Sequence, residues 1–211
     1  MPISATFDLT LLKAASLCAS QDTSRYYLNG VEVQCKENVF TITATDGHRL
    51  ISFKPPVSFS HAPPMPFNVI IPLDIIKAMK VAKKAPEGEL IIEANGTCAI
   101  KYQGRSTIFQ PIDGTFPDWK RVVPAKVDGA VAHFNAHYLA DFAKINDMYQ
   151  DEKGRCLIVG HNGNGPALVH LPIGIDNVAV IMPVRHSKEE VPSVAPDWAV
   201  YPAAEKASAA A

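Results

Sequence analysis

Phe67-Asn68-Val69-Ile70-Ile71-Pro72-Leu73-Asp74-Ile75-Ile76-Lys77-Ala78-Met79-Lys80 passes from a strand straight into a helix. Val69, Ile70 and Ile71 form the β-branched run expected of a strand. Pro72 sits where a helix starts, and the helix is predicted over residues 73–84. Strands follow at 90–94, 98–102 and 106–110, separated by Asn95-Gly96 and Gln103-Gly104 turns. The same order recurs upstream: residues 3–7 lead, Asp8 stands ready to cap a helix over 9–19, and strands are predicted at 26–35, 39–44 and 50–54. It recurs downstream with a leading strand at 130–134, a helix at 136–149, and strands at 156–160, 167–171 and 178–182. The leading strands lie roughly 63 residues apart, the mark of an internal structural repeat. Three units of strand, helix and three strands predict an α+β class and a curved scaffold, and scaffolds bind more often than they catalyse.

Bulk properties agree with an ordinary folded protein. The chain has 211 residues, 47% hydrophobic and 19% charged, enough for a proper core. The apolar runs are too short for a bilayer span, and residues 1–4 do not open a signal peptide. A cytoplasmic protein with no membrane association is therefore expected. Cys18, Cys35, Cys98 and Cys156 are scattered without metal-ligand spacing, which reads as buried reduced thiols. A net charge of −1 excludes a chain coated in positive charge but leaves room for a local basic face. Residues 55–66 contain five prolines and read as a linker. Residues 187–211, rich in Pro, Ala, Glu and Ser, read as a disordered tail.

Three separated motifs carry more. Arg25-Tyr26-Tyr27-Leu28-Asn29-Gly30 with Ala44-Thr45-Asp46-Gly47-His48-Arg49-Leu50 resembles the middle domain of the bacterial sliding clamp, the beta subunit of DNA polymerase III. Phe116-Pro117-Asp118-Trp119-Lys120-Arg121-Val122 resembles the connector that leaves that domain, and Val180-Ile181-Met182-Pro183-Val184-Arg185 resembles the clamp's closing segment. The resemblance implies a DNA-clamp-like fold: a full clamp domain of two units over residues 1–125 and a third unit, a half domain, over 126–186. The family pairs its units within each domain, so a three-unit chain departs from it.

The resemblance also implies a non-catalytic role in DNA replication without a cofactor, in which a cleft accepts peptides from DNA polymerase and the clamp loader. By matching position, that cleft uses Leu28, Thr45, Gly47, His48, Arg49, Leu50, Pro117, Arg121, Val122, Val180, Met182, Pro183, Val184 and Arg185. Leu, Val, Met and Pro offer a slot for a peptide's Leu or Phe, and the arginines hold polar groups at its rim. Taken alone, Asp46-Gly47 is a tight turn and the 180–184 segment a buried strand; together the motifs point to one cleft.

Lys77, Lys80 and Lys84, with Lys83 beside them, share one face of the predicted second helix, opposite a stripe of Ile75, Met79 and Ala82. In the resemblance such helices face double-stranded DNA through its backbone, without base readout; alone, the pattern is an ordinary solvated face. A metal face from His133, His137 and Asp141 is disfavoured because His133 precedes the helix. Asp46 and His48 lack an accompanying nucleophile, and the glycine-rich 160–165 stretch precedes no helix, so it reads as a hairpin loop. Two layouts follow: a self-oligomer that closes a ring from more copies than the family uses, or a non-encircling adaptor that binds the same peptides.

Overall fold

The computed structural model describes residues 2–60, 66–149 and 157–185. The sequence-predicted tail at 187–211 and Cys156 lie outside them.

The first two units interlock by exchanging their leading strands. β1 (Ile3–Asp8) belongs to the first unit but pairs antiparallel with β7 (Glu87–Ile92) of the second, Ala5 opposite Leu90. Reciprocally, β6 (Phe67–Pro72) pairs with β2 (Gly30–Lys36) of the first, Val33 opposite Val69. A five-stranded sheet results in the order β5-β1-β7-β8-β9, with β5 at Ser58–Phe59, β8 at Cys98–Tyr102 and β9 at Arg105–Phe109. The predicted 55–66 linker thus contributes an edge strand.

The other sheet has seven strands in the order β10-β11-β12-β4-β3-β2-β6. β3 (Val39–Thr45) and β4 (Arg49–Lys54) complete the first unit, and β10 (Ile158–Gly160), β11 (Ala167–His170) and β12 (Asp176–Ile181) come from the third. β12 runs antiparallel to β4 from Asp176 opposite Lys54 to Ile181 opposite Arg49. The third unit therefore extends the sheet that the first unit builds.

α1 (Thr10–Ser16) is central, with Leu11, Leu12, Ala14 and Ala15 fully buried. Asp8 accepts the Thr10 N–H at 2.7 Å, satisfying a free donor at the helix start. α3 (Ala136–Tyr149) lays Phe142 and Ile145 into the same core, so the third unit shares the domain's interior. Cys18, Cys35 and Cys98 are free and buried, and burial pushes all three thiols up, which makes them poor nucleophiles. No described helix is long and apolar enough to cross a membrane.

α1 ends at Ser16 and not at residue 19, and three further elements differ from the sequence expectation. The second helix, α2, covers Leu73–Ala78 only, and Met79 is already extended. Past the helix end the Tyr102 hydroxyl accepts the Ala82 N–H at 2.7 Å and donates to the Ala85 carbonyl at 3.0 Å, holding this segment as a loop against its helical propensity. Lys77 is on the helix, whereas Lys80, Lys83 and Lys84 are on that loop, and the apolar stripe with Ala82 does not exist. Residues 26–28 are not strand but the end of a 3-10 turn, Thr23–Leu28, started by Asp22 accepting from the Ser24 N–H at 2.9 Å.

The third leading strand, at 130–134, is absent apart from one bridge, His133 to Val184. In the first two units the leading strand enters a partner unit's sheet, and the third unit has no such partner. The segment is instead tied to the 161–163 loop: Gly129 donates to the His161 carbonyl at 3.0 Å, Ala132 to His161 Nδ1 at 3.1 Å, and the Ala130 carbonyl accepts from Gly163 at 2.8 Å.

Candidate functional site

The Asp46-Gly47-His48-Arg49 turn between β3 and β4 is built by its own side chains. Asp46 Oδ1 accepts from the His48 and Arg49 N–H groups at 2.8 and 2.9 Å. Thr45 Oγ1 donates to the Arg49 carbonyl at 2.7 Å and accepts the Gly47 N–H at 3.1 Å. Gly47 has φ +90°, and a Cβ there would stand 2.8 Å from Arg25 Nη1. The positive φ is what favours glycine here; the Arg25 guanidinium is the end of a flexible side chain and could shift aside.

This turn meets two other segments. The β12 strand ends beside it, and the Met182 N–H donates to the His48 carbonyl at 2.8 Å. The connector after β9 crosses the far side through a short 3-10 turn, Trp119–Val122, anchored by Phe116 packing against Leu28 and Ile70. Between them lies a mostly apolar cleft of about 250 Å³. Of the residues singled out from sequence, Leu28, Thr45, Gly47, His48, Arg49, Leu50, Pro117, Val122, Val180 and Met182 line it. Arg121 does not; it is exposed and paired with Asp118 at 3.0 Å. Pro183, Val184 and Arg185 continue beyond the lining, and Val184 forms the bridge to His133.

Arg25, Tyr27, Asp118 and Trp119 also line the cleft and escaped sequence reasoning. The signals were there: Asp22 starts the turn that presents Arg25 and Tyr27, and Trp119 is a large aromatic in an otherwise polar connector.

Arg49 ties the cleft rim to the third unit. Its Nε contacts Asp46 at 3.2 Å and its Nη1 pairs with Asp141 on α3, which Lys144 also holds at 2.7 Å. The guanidinium lies 4.6 Å from the centre of the Tyr138 ring, and that ring stacks on His48. Burial works against the Asp141 carboxylate, but the bonds from Lys144 and Arg49 outweigh it and hold the carboxyl below its ordinary value. Among the described residues no group of three His, Cys, Asp or Glu is placed to hold a metal ion.

Beneath the connector, on β2, Glu32 is almost wholly buried at 3% exposure. Burial raises its carboxyl from 4.5 to about 7, opposed by the Asn68 hydrogen bond. The folded protein then keeps a proton that the unfolded chain has lost between those values, so stability falls as pH rises through that window. Urea melts from pH 5 to 8 are expected to show a loss of up to about 3 kcal/mol, largely absent in Glu32→Gln.

Comparisons with known proteins bear on the family and the fold. The profile of the DNA polymerase III beta subunit, central domain, matches residues 6–118. The beta sliding clamp of Rickettsia bellii is 31% identical over 158 residues, covering 72% of this chain and 41% of that protein. That of Rickettsia felis is 30% identical over 131 residues, 58% of this chain and 33% of that protein. The chain thus spans well under half the length of these relatives. Among solved structures, Caulobacter crescentus pol III beta superposes with a TM-score of 0.67 at 21% identity, covering 87% of this chain and 66% of that one. The DNA polymerase III subunit beta of Borrelia burgdorferi gives 0.66 at 13% identity, with 87% and 64% covered. With the profile matched over more than half of its residues and the same fold across the third unit, this chain belongs to the DNA polymerase III beta subunit family.

Proposed function

We propose that this chain is a non-catalytic, sliding-clamp-like replication factor that holds short peptides of DNA polymerase and the clamp loader in the cleft and rides on the backbone of double-stranded DNA. The observation that carries the reading is the convergence of three sequence-distant segments on one apolar cleft with a polar rim. Such a slot suits Leu or Phe anchors, with Arg49 and Arg25 at its edge for polar groups.

DNA contact would come from Lys77 on α2 and from Lys80, Lys83 and Lys84 on the following loop, all exposed. Changing Lys77, Lys80 and Lys84 together to Glu is expected to weaken retention on closed circular DNA by on the order of tenfold or more, and to reduce the salt slope by about 1 per lysine. Equal retention would remove these lysines from the DNA-facing surface.

A second reading, a non-encircling adaptor, is favoured by one observation: the walls of the cleft all come from a single chain. Peptide capture then needs no ring. Ring closure would use β9 and β10, edge strands among the described residues, where Ile108 and Ile158 are exposed. Light scattering over a concentration series separates the two. A stable closed oligomer such as a tetramer supports the ring, and a monomer throughout supports the adaptor.

A further inference from the structure

A second cavity, also about 250 Å³, lies on the other side of the cleft's connector wall. Pro117, Asp118 and Trp119 line both. Its floor is the outer face of β2 and β6, with Glu32, Gln34 and Asn68. Glu32 is the unusual member. One of its oxygens, Oε1, accepts from Asn68 Nδ2 at 2.8 Å. The other has no hydrogen-bond partner among the described residues. That oxygen is not among the fully buried atoms left without a partner; it opens to the cavity, where an ionised carboxylate has acceptor capacity to spare.

The neighbouring charges do not compensate it. Lys36 and Lys120 border the cavity, but among the described residues neither forms an ion pair with Glu32. Lys120 holds its ammonium over the Trp119 ring, 5.8 Å from the centre. Asp118 is occupied by Arg121 at 3.0 Å. The floor therefore offers one carboxyl oxygen with no cation paired to it among the described residues, with the Gln34 side chain beside it and a Pro–Trp wall above.

We propose that this cavity is a receptor for a primary ammonium, the Lys side chain of a peptide whose apolar anchors occupy the neighbouring cleft. A Lys ammonium is a compact charge on a flexible stem. The stem lies along Pro117 and Trp119, and the head reaches the free Glu32 oxygen. This rests on the peptide-cleft reading and deepens it: the chain selects clients that carry a basic residue beside their apolar anchors. Because Glu32 is pushed up to about 7, ammonium binding requires loss of its proton, so the selection strengthens from pH 6 to pH 8.5.

The test uses fluorescence anisotropy on the full chain with three versions of a short labelled peptide carrying Leu and Phe anchors. One is unmodified, one has Lys added through a Gly-Gly spacer at either end, and one has norleucine in place of that Lys. At pH 8.5 the Lys peptide is expected to bind about tenfold tighter than the norleucine peptide, the gain of a charge-assisted hydrogen bond. Glu32→Gln should erase that gain and leave the unmodified peptide's affinity unchanged. Should that variant fail to fold, the wild type at pH 6 must show a smaller gain than at pH 8.5. Equal binding of the Lys and norleucine peptides overturns this inference while the unmodified peptide still reports the cleft. If no peptide binds, the cleft reading fails, and n-butylammonium titrated against the Asn68 side-chain amide by NMR decides the cavity: a shift abolished by Glu32→Gln supports it, and no shift overturns it.

Discussion

Met182→Asp is expected to weaken binding of a Leu/Phe-anchored peptide at least about a hundredfold, while leaving the melting temperature within a few degrees of wild type. Met182 lines the cleft just past the end of β12 and is half-buried. Its position is set by its backbone, through the bond to the His48 carbonyl, so the side chain can change without undoing the β12–β4 ladder. Replacing the thioether removes the apolar contact, worth roughly 1.5–3 kcal/mol when fully buried. It also obliges an arriving apolar side chain to desolvate a carboxylate, which costs as much again or more. Anisotropy titration with the unmodified peptide measures the loss, and binding at wild-type strength would place the peptide elsewhere. Leu28 is a poorer probe. It is 4% exposed and packs with Ile70 and Phe116, so a charge there disrupts the connector itself.

Arg49→Ala is expected to cost about 3 kcal/mol in urea melts, the cost of stranding charges whose partner is removed from a buried pair. The side chains of Arg49, Asp46 and Asp141 are 10%, 14% and 19% exposed, so water replaces little of what is lost. The contact with Tyr138 goes as well. Arg49→Lys should recover only part, since one ammonium cannot fork between two carboxylates as a guanidinium does. Pairing Arg49→Met with Asp141→Leu should lie closer to wild type than Arg49→Ala, because it leaves neither member of that pair charged and alone. Amide exchange on α3 gives the local readout: Arg49→Ala should lower protection there more than in β7 and β8, which lie in the other sheet. Uniform loss across both sheets would show that Arg49 serves global packing and not the α3 junction.

The strand-helix-strands repeat was legible because β-branched runs and Asn-Gly turns are local signals. Residues 98–102, for instance, form β8 as expected. Which sheet each strand joins was not legible: nothing in residues 3–7 says that they leave their own unit for β7. The same exchange explains the missing third leading strand, whose sequence resembles its counterparts but whose partner sheet is absent. Helix α2 was overextended because the Tyr102 hydroxyl that holds residues 82–85 in a loop is distant in sequence. In the cleft, Gly47 was legible from the Asp-Gly turn. Tyr138, which backs the cleft-lining His48 and Arg49, was not, since its position on α3 gains meaning only when the third unit docks and sets its ring against His48.

The seam between β4 and β12 also makes this chain divisible. Among the described residues, the strand pairing between the first two units and the third passes through that antiparallel ladder. The cleft sits at its end, with walls drawn from both sides of the cut. Two polypeptides, residues 1–125 and 126–185, would each carry one half of the receptor. Peptide capture would then report their reunion, turning the junction into a complementation sensor whose signal requires both the ladder and the Arg49–Asp141 pair to re-form.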